Sequence, residues 1–238
     1  MTAPAIVDSP SPNFGDRRPL PDGSPAPIDM LVLHYTDMES ADASLARLTD
    51  PAAEVSAHYL IDEDGAVHRL VDEEKRAWHA GLAHWRGTAD VNSRSIGIEL
   101  QNPGHSLGYR PFPEAQIAAL IALARDILAR RPIPARNVLG HSDVAPDRKV
   151  DPGELLPWAR LAAAGVGLFP AAPTSTDRSI HDLLAEIGYD PGAKKVVDAF
   201  QRRFRPARID GRVDAETTGL AAAYLALCNE DAEREADA

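Results

Sequence analysis

Cysteine is nearly missing from this chain: Cys228 is the only one in 238 residues. That excludes a disulfide framework and a thiolate metal cluster, and a lone Cys after Ala-Tyr-Leu-Ala-Leu reads as helix packing. Basic charge is also in deficit, with 25 Lys and Arg against 36 Asp and Glu and a formal net charge of −11. A nucleic-acid binder needs a basic face to neutralise phosphates, so no nucleic acid is expected as a partner. No apolar run is long enough for a membrane span. Residues 1–22 are Pro-rich and polar, with Asp8 and Asp16, and lack the basic, apolar and small-residue zones of a secretory signal. Nor is there a lipid-attachment cysteine near them, so the sequence as written reads as cytoplasmic, or periplasmic if translation starts further upstream. What remains, 44% hydrophobic and 26% charged, describes a globular protein with one ordinary domain and a small one.

Met30-Leu-Val-Leu-His34 reads as a short buried strand that ends on a polar residue. Residues 57–61 and 66–71 flank the turn signal Asp62-Glu-Asp-Gly65 and read as a hairpin. In Ser95-Ile-Gly-Ile-Glu-Leu100, Ile96, Ile98 and Leu100 take one face and Gly97 and Glu99 the other, as in a strand. Residues 113–131 have a helical period, with Ile117, Leu120, Ile121, Ala124, Ile127 and Leu128 in one stripe ended by Pro132. Asn137-Val-Leu-Gly140 is a brief strand that delivers His141, and a short helix is expected over residues 153–164. Strands interleaved with helices give the α/β class. Residues 179–187, 193–204 and 215–227 read as three amphipathic helices, forming a small all-α C-terminal domain. The expected division is an N-terminal extended arm over 1–22, a catalytic domain over 23–165, a linker over 166–177, the helical domain over 178–228 and an acidic, frayed tail over 229–238.

The chemistry gathers in Gly140-His-Ser-Asp-Val-Ala-Pro-Asp-Arg-Lys-Val-Asp-Pro-Gly153. His141 and Asp151 are both possible metal ligands, and in extended backbone Lys149 leaves on the same side as Asp151. Two ligands are too few for zinc, and His34 at a strand end can supply the third. Two imidazoles and a carboxylate, with a fourth position left for water, make a catalytic rather than a closed structural site. Glu99, on the polar face of its strand, is then the candidate proton carrier and Lys149 the candidate oxyanion holder. The residues also fit a plainer reading, with a structural histidine and a solvated Glu and Lys, because they form no compact motif.

Leu33-His-Tyr-Thr36, Val55-Ser-Ala-His-Tyr-Leu-Ile61, Arg76-Ala-Trp-His-Ala-Gly81, Asn92-Ser-Arg-Ser-Ile-Gly-Ile-Glu-Leu100 and the 140–153 loop occur in this order along the chain. In that order they resemble the family-2 N-acetylmuramoyl-L-alanine amidases, zinc enzymes related to peptidoglycan recognition proteins, over about residues 11–164. The resemblance implies a mixed central β-sheet flanked by helices and one zinc ion per chain on His34, His141 and Asp151. It further implies Glu99 and Lys149 as catalytic residues and muropeptides or anhydromuropeptides as partners. Tyr35-Thr36 and Ser11-Pro-Asn-Phe-Gly-Asp-Arg-Arg-Pro look like the AmiD branch, whose members are typically exported lipoproteins. The helical domain resembles a peptidoglycan-binding module, with Ala199-Phe-Gln201 and Asp210-Gly211 as its landmarks. A non-catalytic peptidoglycan receptor and a peptidase cutting within the stem peptide are the rival readings.

Several other residues have two readings. His79 would close the metal site as a fourth ligand, so with Trp78 it reads as cleft lining, or else as packing. Tyr35 beside the first ligand and His58 in its strand are substrate contacts or buried structural residues. Asn92 is a substrate contact or a turn-stabilising residue. His68, His84, His105 and His181 read as surface, and Arg202, Arg203 and Arg205 as the solvated face of a helix.

Overall fold

The computed structural model of the protein describes residues 6–237; residues 1–5 of the expected arm and Ala238 of the expected tail lie outside the described residues. The strands are β1 (Ile6–Asp8), β2 (Phe14–Asp16), β3 (Met30–Tyr35), β4 (Tyr59–Ile61), β5 (Val67–Arg69), β6 (Lys75–Ala77), β7 (Ser95–Leu100) and β8 (Val138–Gly140). Six of them form one mixed sheet in the order β1-β5-β4-β7-β3-β8, and β2 pairs with β6 as a separate antiparallel ribbon. Only β4 and β5 are antiparallel within the large sheet. Their hairpin turns as the sequence predicts: the Gly65 N–H donates to the Asp62 carbonyl at 3.0 Å, and Gly65 sits at φ +90°, where a side chain would be strained.

Alternation along β3 sorts its side chains between two cores. Leu31, Leu33 and Tyr35 pack with Ile96, Ile98 and Leu100 of β7 against Ile117, Leu120, Ile121, Ala124 and Ile127 of the helix Glu114–Arg130. Met30 and Val32 face the opposite way, into a core with Leu139, Trp85 and the apolar sides of the C-terminal helices. Every residue of β3 is buried, as expected for a parallel strand covered on both faces. Each fully buried Leu or Ile contributes roughly 1.5–3 kcal/mol, so these two layers dominate the stability of the sheet. His34 continues the Met30–Val32 face, and it is partnered in register by Glu99 of β7. On this second face, polar residues therefore replace apolar ones at the C-terminal ends of β3 and β7.

The helix boundaries differ most from the sequence expectation in the C-terminal third of the chain. The helix expected over 153–164 spans only Trp158–Ala163, because Pro152 and Pro157 interrupt the preceding turns. The second C-terminal helix begins at Val196 rather than at residue 193. The third, Ala215–Ala236, runs on through the acidic segment expected to fray. Arg136 explains this extension: its guanidinium is 2.9 Å from the Asp231 carboxylate and also pairs with Glu235, tying the far end of the helix to the start of β8. The arm is structured as well, with β1 adding a parallel edge strand along β5. Gln201, fully buried, accounts for its neighbours: its Oε1 accepts from the Asp210 and Gly211 N–H groups at 3.0 and 2.9 Å and its Nε2 donates to the Arg212 carbonyl at 2.9 Å. No helix among the described residues is long and apolar enough to cross a membrane.

Candidate active site

Three strand ends and one loop build the site. β3 delivers His34; β8, which pairs with β3, delivers His141 immediately after Gly140. The loop then returns Asp151 beside its own beginning, where the Ser142 N–H donates to the Asp151 carbonyl at 2.8 Å. His34 Nδ1, His141 Nδ1 and Asp151 Oδ2 meet in a nearly equilateral triangle with sides of 3.0, 3.1 and 3.0 Å. All three residues are buried.

The outer partners fix which ring nitrogens face this triangle. His141 Nε2 lies 3.1 Å from the Ala80 carbonyl, which only accepts, so Nε2 carries the hydrogen and Nδ1 presents a bare lone pair. A longer relay does the same for His34. The Ser95 hydroxyl donates to the Val91 carbonyl at 2.7 Å, so Ser95 Oγ accepts from His79 Nε2–H at 3.2 Å. His79 Nδ1 is then the acceptor for His34 Nε2–H at 3.1 Å, and His34 Nδ1 is bare. Two imidazole lone pairs and a carboxylate oxygen thus converge with no proton among them, an arrangement that a divalent cation relieves. Zinc bonds of about 2.0–2.2 Å place tetrahedral donors roughly 3.3–3.6 Å apart, so a few tenths of an ångström of outward movement would seat the ion. Burial above all pushes the His34 imidazole down to about 4. A neutral imidazole is the form that binds metal.

Glu99, Lys149, Tyr35, Trp78 and His79 line the same cleft of about 370 Å³ together with His141 and Asp151. Glu99 Oε2 is buried and has no hydrogen-bond partner among the described residues. Burial raises its carboxyl well above the usual value, the Asp151 charge adds to this, and Lys149 opposes it. His79 is thus an outer partner of the metal site, as the relay requires. Its ring explains Gly97, since a Cβ there would lie 2.6 Å from the His79 ring atoms.

Two sequence candidates lie elsewhere. His58 is fully buried beneath His79, with ring centroids 5.7 Å apart, and does not reach the cleft: its Nδ1 accepts the Gly97 N–H at 2.9 Å, and its Nε2 faces the Lys75 carbonyl and Arg17. The Asn92 side chain accepts from the His79 and Ala80 N–H groups at 3.2 and 2.8 Å, so it shapes the loop that carries His79 and stays out of the cleft. In the opposite direction, His105, expected as bland surface, lines the cleft. Its Nδ1 is 2.8 Å from the Tyr35 hydroxyl, its Nε2 is 3.2 Å from Glu154, and its ring stacks on Tyr109 at 4.4 Å. The usable signal was positional, since His105 follows the C-terminal end of β7, where open α/β sheets place their ligands.

Comparison with known proteins agrees with this geometry. A family profile described as N-acetylmuramoyl-L-alanine amidase matches residues 24–154. The N-acetylmuramoyl-L-alanine amidase AmiD of Escherichia coli is 42% identical over 86% of this chain and 84% of its own length. A structure of that enzyme with the substrate anhydro-N-acetylmuramic acid-L-Ala-D-gamma-Glu-L-Lys superposes with a TM-score of 0.76 at 39% identity, over 90% of this chain and 98% of that one. The structure of AmpDh3 from Pseudomonas aeruginosa in complex with anhydromuramic pentapeptide gives 0.75 at 34% identity, over 82% and 90%. The 1,6-anhydro-N-acetylmuramyl-L-alanine amidase AmpD of E. coli is 38% identical over 64% of this chain and 87% of its own. A profile match over more than half the chain and a close relative aligned along most of both lengths carry one conclusion: this protein belongs to the N-acetylmuramoyl-L-alanine amidase family.

Proposed function

We propose that this protein hydrolyses the amide between the lactyl group of N-acetylmuramic acid, or its 1,6-anhydro form, and L-alanine of the stem peptide, with zinc as its metal, in peptidoglycan turnover or recycling. The convergence of bare His34 and His141 lone pairs on the Asp151 carboxylate, beside the unpaired Glu99 oxygen, is the observation that carries this reading. Held by those three residues, zinc would supply a Lewis acid and a water acidified to a pKa of about 7. The remaining chemistry belongs to the chain. Glu99 takes the proton of the attacking water and passes it to the departing L-alanine amine. Lys149 supplies a fixed cation for the oxygen of the lactyl carbonyl as it gains charge. His79 and the Ala80 carbonyl keep the two imidazoles in the required tautomer.

Tyr35, Trp78 and His105 then offer flat surfaces for the sugar and the first stem residues. Residues 23–165 form the catalytic unit in this reading and residues 178–228 a peptidoglycan-binding-like unit. The AmiD complex with its anhydromuramyl tripeptide supports the substrate class. A non-catalytic receptor has no use for a complete ligand set together with Glu99 and Lys149.

The test is incubation of zinc-loaded protein with intact sacculi and, separately, with that anhydromuramyl tripeptide, with products identified by mass. The expected products are free stem peptide and its muramyl partner. Binding without cleavage would favour the receptor, and cleavage within the stem would favour a peptidase.

A further inference from the structure

Arg203 was expected on the solvated face of its helix, yet it is 3% exposed and 60 residues away in sequence from the aspartate it pairs with, Asp143. Asp143 is fully buried and stands two residues after the ligand His141. Its carboxylate ties three segments together: the Gly140 N–H donates to Oδ2 at 2.8 Å, Arg203 Nη1 donates to the same oxygen at 2.6 Å, and the Tyr189 hydroxyl donates to Oδ1 at 2.7 Å. Arg203 also donates from Nη2 to the Val138 carbonyl of β8 at 3.1 Å and lies 4.0 Å over the Trp158 ring. Four residues further along the ligand loop, Asp147 Oδ1 accepts the backbone N–H groups of Lys194 and Lys195, both at 2.8 Å. Just beyond Asp151, Glu154 faces Arg202 at 3.5 Å.

Apart from the Gly140 bond, which is internal to the loop, and the Trp158 ring, these contacts run from the C-terminal helical segment to residues 138–154, the stretch that carries two of the three metal ligands and Lys149. An apolar cover for the sheet needs no such pairs. A buried ion pair is often no more stabilising than well-packed apolar groups, and its best-attested use is to specify one geometry. We propose that the C-terminal helices clamp the loop between His141 and Asp151, with Arg203 and Tyr189 as positioning residues that hold the metal ligands in place through Asp143. The helical segment is then part of the machinery that shapes the metal site, whatever else it binds. This inference rests on the zinc reading for its metal readout only.

The test uses the full-length chain and three variants. Tyr189→Phe removes one hydrogen bond, Arg203→Met removes the ion pair, and Leu225→Ala opens a cavity in the apolar core without removing any of these polar contacts. Hydrogen exchange of residues 140–153 is followed in metal-free protein, and zinc affinity is measured by competition with a chelating dye. In the first two variants, loop exchange should accelerate and zinc affinity should fall by about 10–100-fold, the range typical of outer-sphere supports of metal ligands. Leu225→Ala should lower Tm yet leave loop exchange and zinc affinity at wild-type levels. The clamp is overturned if folded Tyr189→Phe and Arg203→Met proteins keep wild-type exchange and zinc affinity, or if Leu225→Ala loosens the loop as much as they do. If Arg203→Met does not fold, Tyr189→Phe decides alone. A wild-type protein that binds no zinc would instead sink the metal reading, and loop exchange would still test the clamp.

Discussion

Glu99→Gln should lower kcat by about 10²–10⁴-fold, the usual contribution of a positioned general base, with zinc still bound at one ion per chain. Glutamine has the same size and reach as glutamate and is neutral, so it fills the same space between β3 and β4 without being able to accept the proton of water. The structure also gives a sign for stability. Glu99 Oε2 is buried without a partner, and burial with the nearby Asp151 charge raises the carboxyl well above its ordinary range. An ionised, unpaired carboxylate in such a place costs folding free energy, so the amide should hold Tm or raise it. Loss of activity with gain of stability is the pattern of a residue kept for chemistry. An active Glu99→Gln enzyme would remove the proton-transfer role.

Asp151→Ala should abolish both metal binding and turnover in a protein that still folds. The substitution takes away the only anionic ligand and leaves His34 and His141, too few to hold a catalytic zinc. The loss should exceed the roughly 10–100-fold that outer-sphere changes produce. Folding should survive because the backbone carbonyl of Asp151, which receives the Ser142 N–H, remains in place. The bare lone pairs of the two histidines would also face one less negative charge. Full zinc occupancy in Asp151→Ala, measured by atomic emission on dialysed protein, would take Asp151 out of the ligand set.

The parts of this protein legible in its sequence are those with local periodicity. The period-2 pattern of residues 95–100 placed Glu99 on the face opposite Ile96 and Ile98, where β7 has it. The 3.6-residue stripe placed the helix that ends before Pro132. β1 escaped notice because its three residues are exposed and pair only at the sheet edge, leaving no alternation to read. The burial of Arg203 leaves no local signal, because its charge partner is distant in the chain and an arginine on an amphipathic helix has the same local pattern whether solvated or buried. Arg205 is also buried, but its partners Asp214 and Asp210 lie close in the chain, across the turn that follows its helix.

His58 and Asn92 are the converse case, where the structure favours the second of the two readings open to them. Each stands near a ligand or a motif in sequence, yet each spends its polar atoms on backbone groups: His58 on Gly97, Asn92 on His79 and Ala80. Hydrogen-bond saturation of this kind needs coordinates. His79 lies between these cases, since its motif marked it while only the Ser95 relay explains its use.

The central claim is that water, with Glu99 as its base, attacks the lactyl carbonyl of muramic acid. Turnover of anhydro-N-acetylmuramic acid-L-Ala-D-gamma-Glu-L-Lys in oxygen-18 water, followed by mass spectrometry of both products, tests it most directly. The account predicts a single heavy oxygen in the lactyl carboxylate of the anhydromuramic acid and none in the released tripeptide. A heavy oxygen in the carboxylate of an amino acid that stays attached to the sugar would contradict it.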